Sequence, residues 1–249
     1  MIDLRGKWVF ITGSSRGLGR LSAIYMASLG CNIILHSRTI DGTEKIYEEI
    51  NALGVDAKRV EGELSDLSEL DKMLKVIDDM NIDVDIVLNN AGYQVGYRVD
   101  YLNTPMSDYP ISIAINTIAP MRICYHFLPK MIKKGFGRIV NTTSGINLEA
   151  EQAGYSAAKA ALDKVTRDLG YKIDGTDVII SLADPGWCRT DLGGPKAPNS
   201  PESALPGIII GALLNDKKSG RLFSAQEYVN LSLDEAIKKA EAVPSPYRR

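Results

Sequence analysis

Apolar residues along the chain fall into short continuous runs that alternate with stretches of helical spacing. Trp8-Val9-Phe10-Ile11, Ile33-Ile34-Leu35, residues 57–61, Ile86-Val87-Leu88, residues 137–141, Val178-Ile179-Ile180 and residues 220–223 read as strands. Between them, Leu18, Leu21, Tyr25 and Leu29 share one helical face, as do Ile46, Ile50 and Leu53. Leu67, Leu70, Leu74 and Ile77 form a third such stripe, and Tyr155, Ala158, Leu162, Val165 and Leu169 a further one. Gly30 and Gly54 follow the first two stripes and supply helix stops. A long helical segment is predicted over 107–134; Pro110 suits its first turn, whereas Pro120 should kink it. Ser200-Pro201 reads as a cap with proline at the first helical position, interrupted by Pro206-Gly207. Ser232 and Glu235 have capping-box spacing, and the tail from Pro244 to Arg249 is expected to fray. Regular strand–helix alternation predicts an α/β fold: a doubly wound, seven-stranded parallel sheet of Rossmann type with helices on both faces.

Bulk properties narrow the class without deciding it. With 249 residues, 45% hydrophobic and 24% charged, the chain suits one globular domain over 1–249. A formal net charge of −2 gives no footprint for nucleic acid. Cys31, Cys124 and Cys188 have neither disulfide-framework nor zinc spacing, so no metal site is expected. The N-terminus runs into a strand without a signal-peptide apolar region, and no apolar run reaches membrane-spanning length. The expectation is a soluble, cytoplasmic protein.

The first strand runs into Thr12-Gly13-Ser14-Ser15-Arg16-Gly17-Leu18-Gly19, and a helix follows. Glycines between a strand and a helix let backbone N–H groups approach a pyrophosphate, and the helix N-terminus adds positive potential. Gly13, Ser15, Arg16, Gly17, Leu18 and Gly19 are therefore candidate dinucleotide contacts. After the second strand, an acid would bind the ribose 2′-OH of NAD, while an arginine accommodates the 2′-phosphate of NADP. This chain has Ser37 and Arg38 there, with no acid before Asp41, and Arg16 offers a second guanidinium. NADP(H) is favoured over NAD.

Tyr155 and Lys159 are separated by one helical turn, so both side chains can enter one pocket. A free phenol titrates near 10 and is a poor base at neutral pH, but an adjacent cation favours the phenolate. A Tyr–Lys pair of this spacing is common on helix surfaces. Here it stands in an ordered set with the glycine loop, Asn89-Asn90-Ala91-Gly92, Asn116, Ser144 and Pro185-Gly186. From about Leu4 to Phe223, the chain resembles the short-chain dehydrogenase/reductase family; the stretch Pro185-Gly186-Trp187-Cys188-Arg189-Thr190-Asp191 looks most like its carbonyl-reductase-like branch.

The resemblance implies an NADP-dependent ketoreductase acting on a small carbonyl or alcohol, with Tyr155 as acid/base. It implies that Lys159 holds the ribose and lowers the Tyr155 pKa, that Ser144 steadies the substrate oxygen, and that Asn116 anchors a water through a backbone irregularity. Thr143 is the alternative hydroxyl, because the stretch from Ser144 to Tyr155 is shorter than is common in the family. Pro120 lacks the N–H that would bond the Asn116 carbonyl in a regular helix. The cofactor set is extended by Glu63 and Leu64 near the adenine, Asn90, Ala91 and Gly92 near the ribose, and Pro185, Gly186 and Thr190 at the nicotinamide. Glu63 stands where the family usually has Asp. Tyr93, Tyr97, Tyr101 and Tyr109 could form an aromatic mouth or ordinary loop packing; residues 187–215 are expected to act as a substrate lid. His36 and His126, without partners at metal spacing, are read as structural or solvated. A homodimer or homotetramer is implied. A nucleotide-binding regulator with the same fold and a purely structural oligomer subunit are the competing readings.

Overall fold

A computed structural model describes residues 2–247. Its sheet has seven parallel strands in the order β3-β2-β1-β4-β5-β6-β7. These are β1 (Trp8–Ile11), β2 (Asn32–Ser37), β3 (Ala57–Glu61), β4 (Val84–Asn89), β5 (Gly137–Thr142), β6 (Val178–Asp184) and β7 (Leu222–Ser224). The helices are α1 (Gly17–Ser28), α2 (Glu44–Ala52), α3 (Leu67–Asp79), α4 (Asp108–Ile113), α5 (Ala119–Lys134), α6 (Ala153–Ile173) and α7 (Leu233–Ala242).

The continuous apolar runs are explained by burial on both faces of the sheet. Val9 and Ile11 pack into one core layer with residues of α1, α2 and α7, such as Met26, Ile50 and Ile237. Phe10, between them, points to the opposite layer with Leu70 of α3, Phe127 of α5 and Leu162 of α6. Winding reverses at β1, which pairs with β2 on one side and β4 on the other. Such a reversal opens a crevice beyond the strand carboxyl ends, where open α/β sheets bind ligands.

The segment predicted as one long helix is α4, a five-residue π-helical stretch (Ala114–Ile118) and α5. Pro120 lies in the first turn of α5. The irregularity thus sits just before the proline, where the missing N–H breaks the ordinary ladder. The predicted capping box at Ser232 and Glu235 is present in full.

Two expectations need correction. Of the proposed lid over 187–215, residues 208–214 are core: Ile209, Ile210, Ala212, Leu213 and Leu214 have no exposed surface. They lie in a 3-10 segment (Gly207–Ala212) and its exit, against β5 and β6. Glycine permits that contact, since a Cβ on Gly211 would stand 2.0 Å from Ser181 Oγ and one on Gly207 2.5 Å from Ala225 Cα. The same closeness accounts for the Pro206-Gly207 interruption, as a regular helix with side chains would not fit there. Buried Arg138 and Arg221 fasten the region: Arg138 donates to the Leu214 carbonyl at 2.9 Å, and Arg221 pairs through two bonds with Asp216. The tail is also docked as far as described: the Tyr247 hydroxyl donates to the Arg167 carbonyl at 2.5 Å, and its ring packs edge-on against Tyr171. Arg248 and Arg249 lie outside the described residues.

If residues 208–214 are core rather than lid, Ile210→Ala removes a fully buried side chain. Urea unfolding should then show a loss of about 2–5 kcal/mol; a change below about 0.5 kcal/mol would return the segment to the surface.

Candidate active site

The glycine loop and the turn after β4 are joined directly. Thr12 Oγ1 accepts from the backbone N–H groups of Asn90 and Ala91, at 3.1 and 3.0 Å. Asn90 Nδ2 donates in return to the carbonyls of Thr12 and Gly13. Gly13 has φ +64° and Gly17 φ +55°, so both need the left-handed region. A Cβ on Gly13 would stand 3.0 Å from Ala91 Cα, and one on Gly19 only 2.2 Å from the Gly13 carbonyl oxygen. Ser15 lies in the same loop, and Leu18 packs on the core beneath it. The N-cap position of α1, Arg16, makes no side-chain cap bond. The cradle therefore presents helix-terminal N–H groups beside backbone kept bare by glycine, which suits a pyrophosphate.

His36 fixes this cradle, a role its sequence context did not reveal. Its Nδ1 accepts from the Gly13 N–H at 3.1 Å, and its Nε2 lies 3.0 Å from the Gly62 carbonyl. Those partners require the neutral tautomer with hydrogen on Nε2. Burial accordingly holds the imidazole below its ordinary pKa.

The 2′-phosphate candidates separate. Arg38 is exposed just beyond β2, and Ser37 donates to the Thr39 carbonyl at 2.6 Å. Arg16 instead reaches across the cleft to Asp191, 3.0 Å away. Glu63 accepts from Ser65 through both backbone and side chain, so its carboxylate is engaged in its own turn, while Leu64 is buried.

Tyr155 and Lys159 share one face of α6, with the Lys159 ammonium 5.6 Å from the Tyr155 ring centre. Lys159 Nζ donates to the Thr142 carbonyl at 2.7 Å. Gly92 adjoins both Asn116 and Lys159: a Cβ there would stand 3.3 Å from Asn116 Oδ1 and 3.9 Å from Lys159 Nζ. Asn116 is fully buried within the π-helical stretch, and its side chain exchanges two hydrogen bonds with the Tyr93 backbone. The hydroxyls of residues 143 and 144 diverge. Ser144 lies beside the Tyr155 phenol and accepts from the Ile146 N–H at 3.2 Å, whereas Thr143 Oγ1 points away and donates to Asp163 at 2.5 Å.

The electrostatics differ from the expectation of a phenol made acidic by its lysine. Burial pushes Tyr155 up to about 12, and the neighbouring Ser144 hydroxyl only partly opposes this. Burial also brings Lys159 down to about 8, against the pull of Asp163 and Asp184. Both groups lose hydration inside the cleft, and two nearby carboxylates offset the lysine charge. In this state Tyr155 keeps its proton.

Beyond β6, Pro185 O accepts from Gln226, and Gly186 adopts φ +73° while its N–H donates to Asp184 Oδ1 at 2.9 Å. Thr190 faces the glycine loop, 3.5 Å from where a Gly17 side chain would begin. The 187–199 loop is internally tied: Cys188 and Asn199 form a β-bridge, Arg189 donates to two loop carbonyls, and the Trp187 indole to Gly193 O. The tyrosine-rich loop is anchored too, by a two-bond Arg98–Asp108 pair and by Gln152 donating to Val95 O. Tyr93, Tyr97 and Tyr101 nevertheless remain exposed.

Residues 7–200 match the family described as short chain dehydrogenase. The 3-oxoacyl-(acyl-carrier-protein) reductase FabG of Aquifex aeolicus is 32% identical over 194 residues, 77% of each chain. The ketoacyl reductase HetN of Nostoc sp. is 31% identical over 225 residues, 86% of this chain and 78% of that protein. Among solved structures, a metagenomic short-chain oxidoreductase in complex with NADP aligns with a TM-score of 0.68 at 28% identity, covering 74% of this chain and 84% of its own.

Protonating His36 would cost it the Gly13 acceptor bond, so acid should weaken the fold. An imidazole whose folded pKa lies below its unfolded value of 6.5 takes up protons more readily when unfolded. Stability should be level above that pH and fall as pH drops below it. His126, also held low by burial, adds in the same direction. Thermal melts from pH 7.5 downward should show the decline, and His36→Gln should reduce it.

Proposed function

The chain belongs to the short chain dehydrogenase family, and from that premise we propose that it transfers hydride between NADP(H) and a small carbonyl or alcohol, with Tyr155 moving the proton. The observation that carries this reading is one continuous line of contact, from the glycine cradle through Ala91 and Gly92 to Lys159, Tyr155 and Ser144. Bound NADP(H) supplies the hydride chemistry.

Gly13, Ser15, Arg16, Gly17, Leu18 and Gly19 hold the pyrophosphate side. Arg38, with Ser37, takes the 2′-phosphate; its exposed guanidinium has no carboxylate partner among the described residues. Arg16 contributes there only by leaving Asp191. Glu63 and Leu64 border the adenine through backbone and shape, since the Glu63 carboxylate is engaged. Asn90, Ala91 and Gly92 line the ribose, with Lys159 beneath it. Pro185, Gly186 and Thr190 orient the reactive end.

Tyr155 donates its proton to the carbonyl oxygen and takes it back in the reverse direction. The phenol is protonated at neutral pH and so available as donor, and the alkoxide oxygen that hydride delivery creates is a stronger base than the phenolate, which draws the proton across. Ser144 supplies the second hydrogen bond to that oxygen. The Lys159 ammonium compensates the charge left on Tyr155, and Asn116, in the π-helical stretch, anchors the route by which the proton is replaced. Glu149 and Glu151 make the cleft rim acidic and disfavour anionic substrates. Residues 189–203 are the part of the expected lid outside the core cluster, which takes in Cys188 before them and 208–214 after them. The exposed apolar residues Ile118, at the end of the π-helical stretch, and Tyr125 and Ile132 of α5 support a homo-oligomer. Three unpaired cysteines suit a reducing, cytoplasmic setting. No helix among the described residues is long and apolar enough to cross a membrane.

A panel of aldehydes and ketones, followed by NADPH oxidation, tests the activity. Tyr155→Phe should abolish turnover while NADPH still binds; turnover retained within about tenfold removes Tyr155 from the acid role. Ser144→Ala should lower kcat by about 10²-fold, whereas Thr143→Val should act mainly on stability, by about 1–3 kcal/mol. Arg38→Asp should move the kcat/KM ratio toward NADH. An unchanged ratio refutes the 2′-phosphate assignment.

A further inference from the structure

Of the two arginines that suit a 2′-phosphate, one is already engaged. Arg38 has no carboxylate partner among the described residues, whereas Arg16 Nη1 lies 3.0 Å from Asp191 Oδ2. This pair joins the glycine loop to the turn after β6, and the two segments meet beside it: Thr190 Cγ2 stands 3.5 Å from where a Gly17 side chain would begin. Arg16 holds the N-cap position of α1 in extended backbone and makes no side-chain cap bond, so Asp191 is the partner of its guanidinium. Asp191, by contrast, is mounted on a turn that keeps its own shape. The Thr190 N–H donates to the Cys188 carbonyl at 2.9 Å, and the Gly194 N–H to the Thr190 carbonyl at 2.7 Å. The Gly193 N–H donates to Thr190 Oγ1 at 3.1 Å. Glycine is required there, since a Cβ on Gly193 would stand 2.1 Å from the Cys188 carbonyl oxygen. The carboxylate is thus presented from a fixed backbone, and the long Arg16 side chain is the member of the pair that can change partner.

We infer that Asp191 is a cofactor-specificity residue: it competes with the 2′-phosphate for Arg16, and so makes the chain less selective for NADP(H) than its two arginines alone would. The inference rests on the reading of this cleft as the NADP(H) site. NAD(H) carries a hydroxyl where NADP(H) carries the phosphate, so it binds with the Arg16–Asp191 pair intact. NADP(H) gains the Arg16 guanidinium only by giving up that pair, and its net gain is smaller by what the pair was worth. The Arg16 and Asp191 side chains are 68% and 72% exposed, so water screens the pair and it adds little to folding. The same exposure lets Arg16 exchange one anion for another without unpacking the core, and it limits the effect on affinity to a few-fold. Because the turn is tied by its own backbone bonds, removing the carboxylate charge frees Arg16 and leaves Thr190 in place.

The test is the dissociation constant of NADPH and of NADH, read from nicotinamide fluorescence at low ionic strength, where exposed pairs are least screened. Wild type, Asp191→Asn, Arg16→Gln and the double variant are compared. Asp191→Asn should tighten NADPH by about 2- to 5-fold, the range of an exposed ion pair, and leave NADH unchanged. In the Arg16→Gln background Asp191→Asn should leave NADPH binding unchanged too, because the guanidinium through which it acts is gone. Asp191→Ser repeats the comparison should asparagine disturb the turn. Four results overturn the inference: no change with either nucleotide; equal tightening of both, which is general relief of repulsion in the cleft; weakening of both, which makes the pair a strap over the bound cofactor; and a gain for NADPH that persists without Arg16, which is direct repulsion of the phosphate by Asp191. All four leave the cleft as the cofactor site. A wild type that binds neither nucleotide refutes that reading itself.

Discussion

Two strand ends are held at a fixed separation by one hydroxyl. Thr12 accepts two N–H groups from the turn after β4, and Asn90 returns two bonds to the end of β1. This clamp lies where the sheet changes its direction of winding, so the crevice above it has a defined width. Gly13 meets Ala91 at a distance that leaves no space for a side chain, and Gly92 meets Lys159. Loosening the clamp would move the cofactor cradle relative to the proton donor, and a misplacement of about 1 Å between reacting groups can cost catalysis heavily.

Within the crevice, desolvation rather than the lysine charge sets the resting protonation. Tyr155 and Lys159 are both removed from water, and each shifts toward its neutral form. Lysine lowers a neighbouring phenol only to the extent that its own charge is uncompensated, and here Asp163 and Asp184 compensate it. A positively charged ring or an anionic oxygen entering the cleft would alter that balance. The protonation of the pair is therefore a property of the occupied site as much as of the chain.

The supporting structure is made of groups whose chemistry is spent on geometry. His36 uses both ring nitrogens to join Gly13 to Gly62. Asn89 donates to Asn141, which donates to Thr166, so a polar chain crosses from β4 to α6 beneath the site. The π-helical stretch presents Asn116 to the turn after β4, where it closes a reciprocal pair with Tyr93. Buried networks of this kind favour one arrangement, because a displaced member leaves more polar atoms unpaired in a dry interior, where Asn89 Oδ1 already lacks a partner.

The sequence by itself determined the parallel sheet, since strand-length apolar runs alternating with amphipathic helices have few other ways to bury both faces. It also determined the order of the motifs, because each depends on backbone geometry within a few residues: glycine in the cradle, the Tyr155–Lys159 helical turn, the proline after Asn116. What needed the fold was every relation between elements distant in the chain. Ser144 and Thr143 are equivalent on paper, and only the placement of Asp163 draws one hydroxyl away. Arg16 and Arg38 are alike as cations, and only Asp191, far along the chain, engages the first. The 208–214 segment falls within the expected 187–215 lid, and it is core because β5 and β6 offer an apolar face for it to cover. Local patterns record the backbone a residue must adopt; which partner a side chain meets is decided by packing, and that is written only in three dimensions.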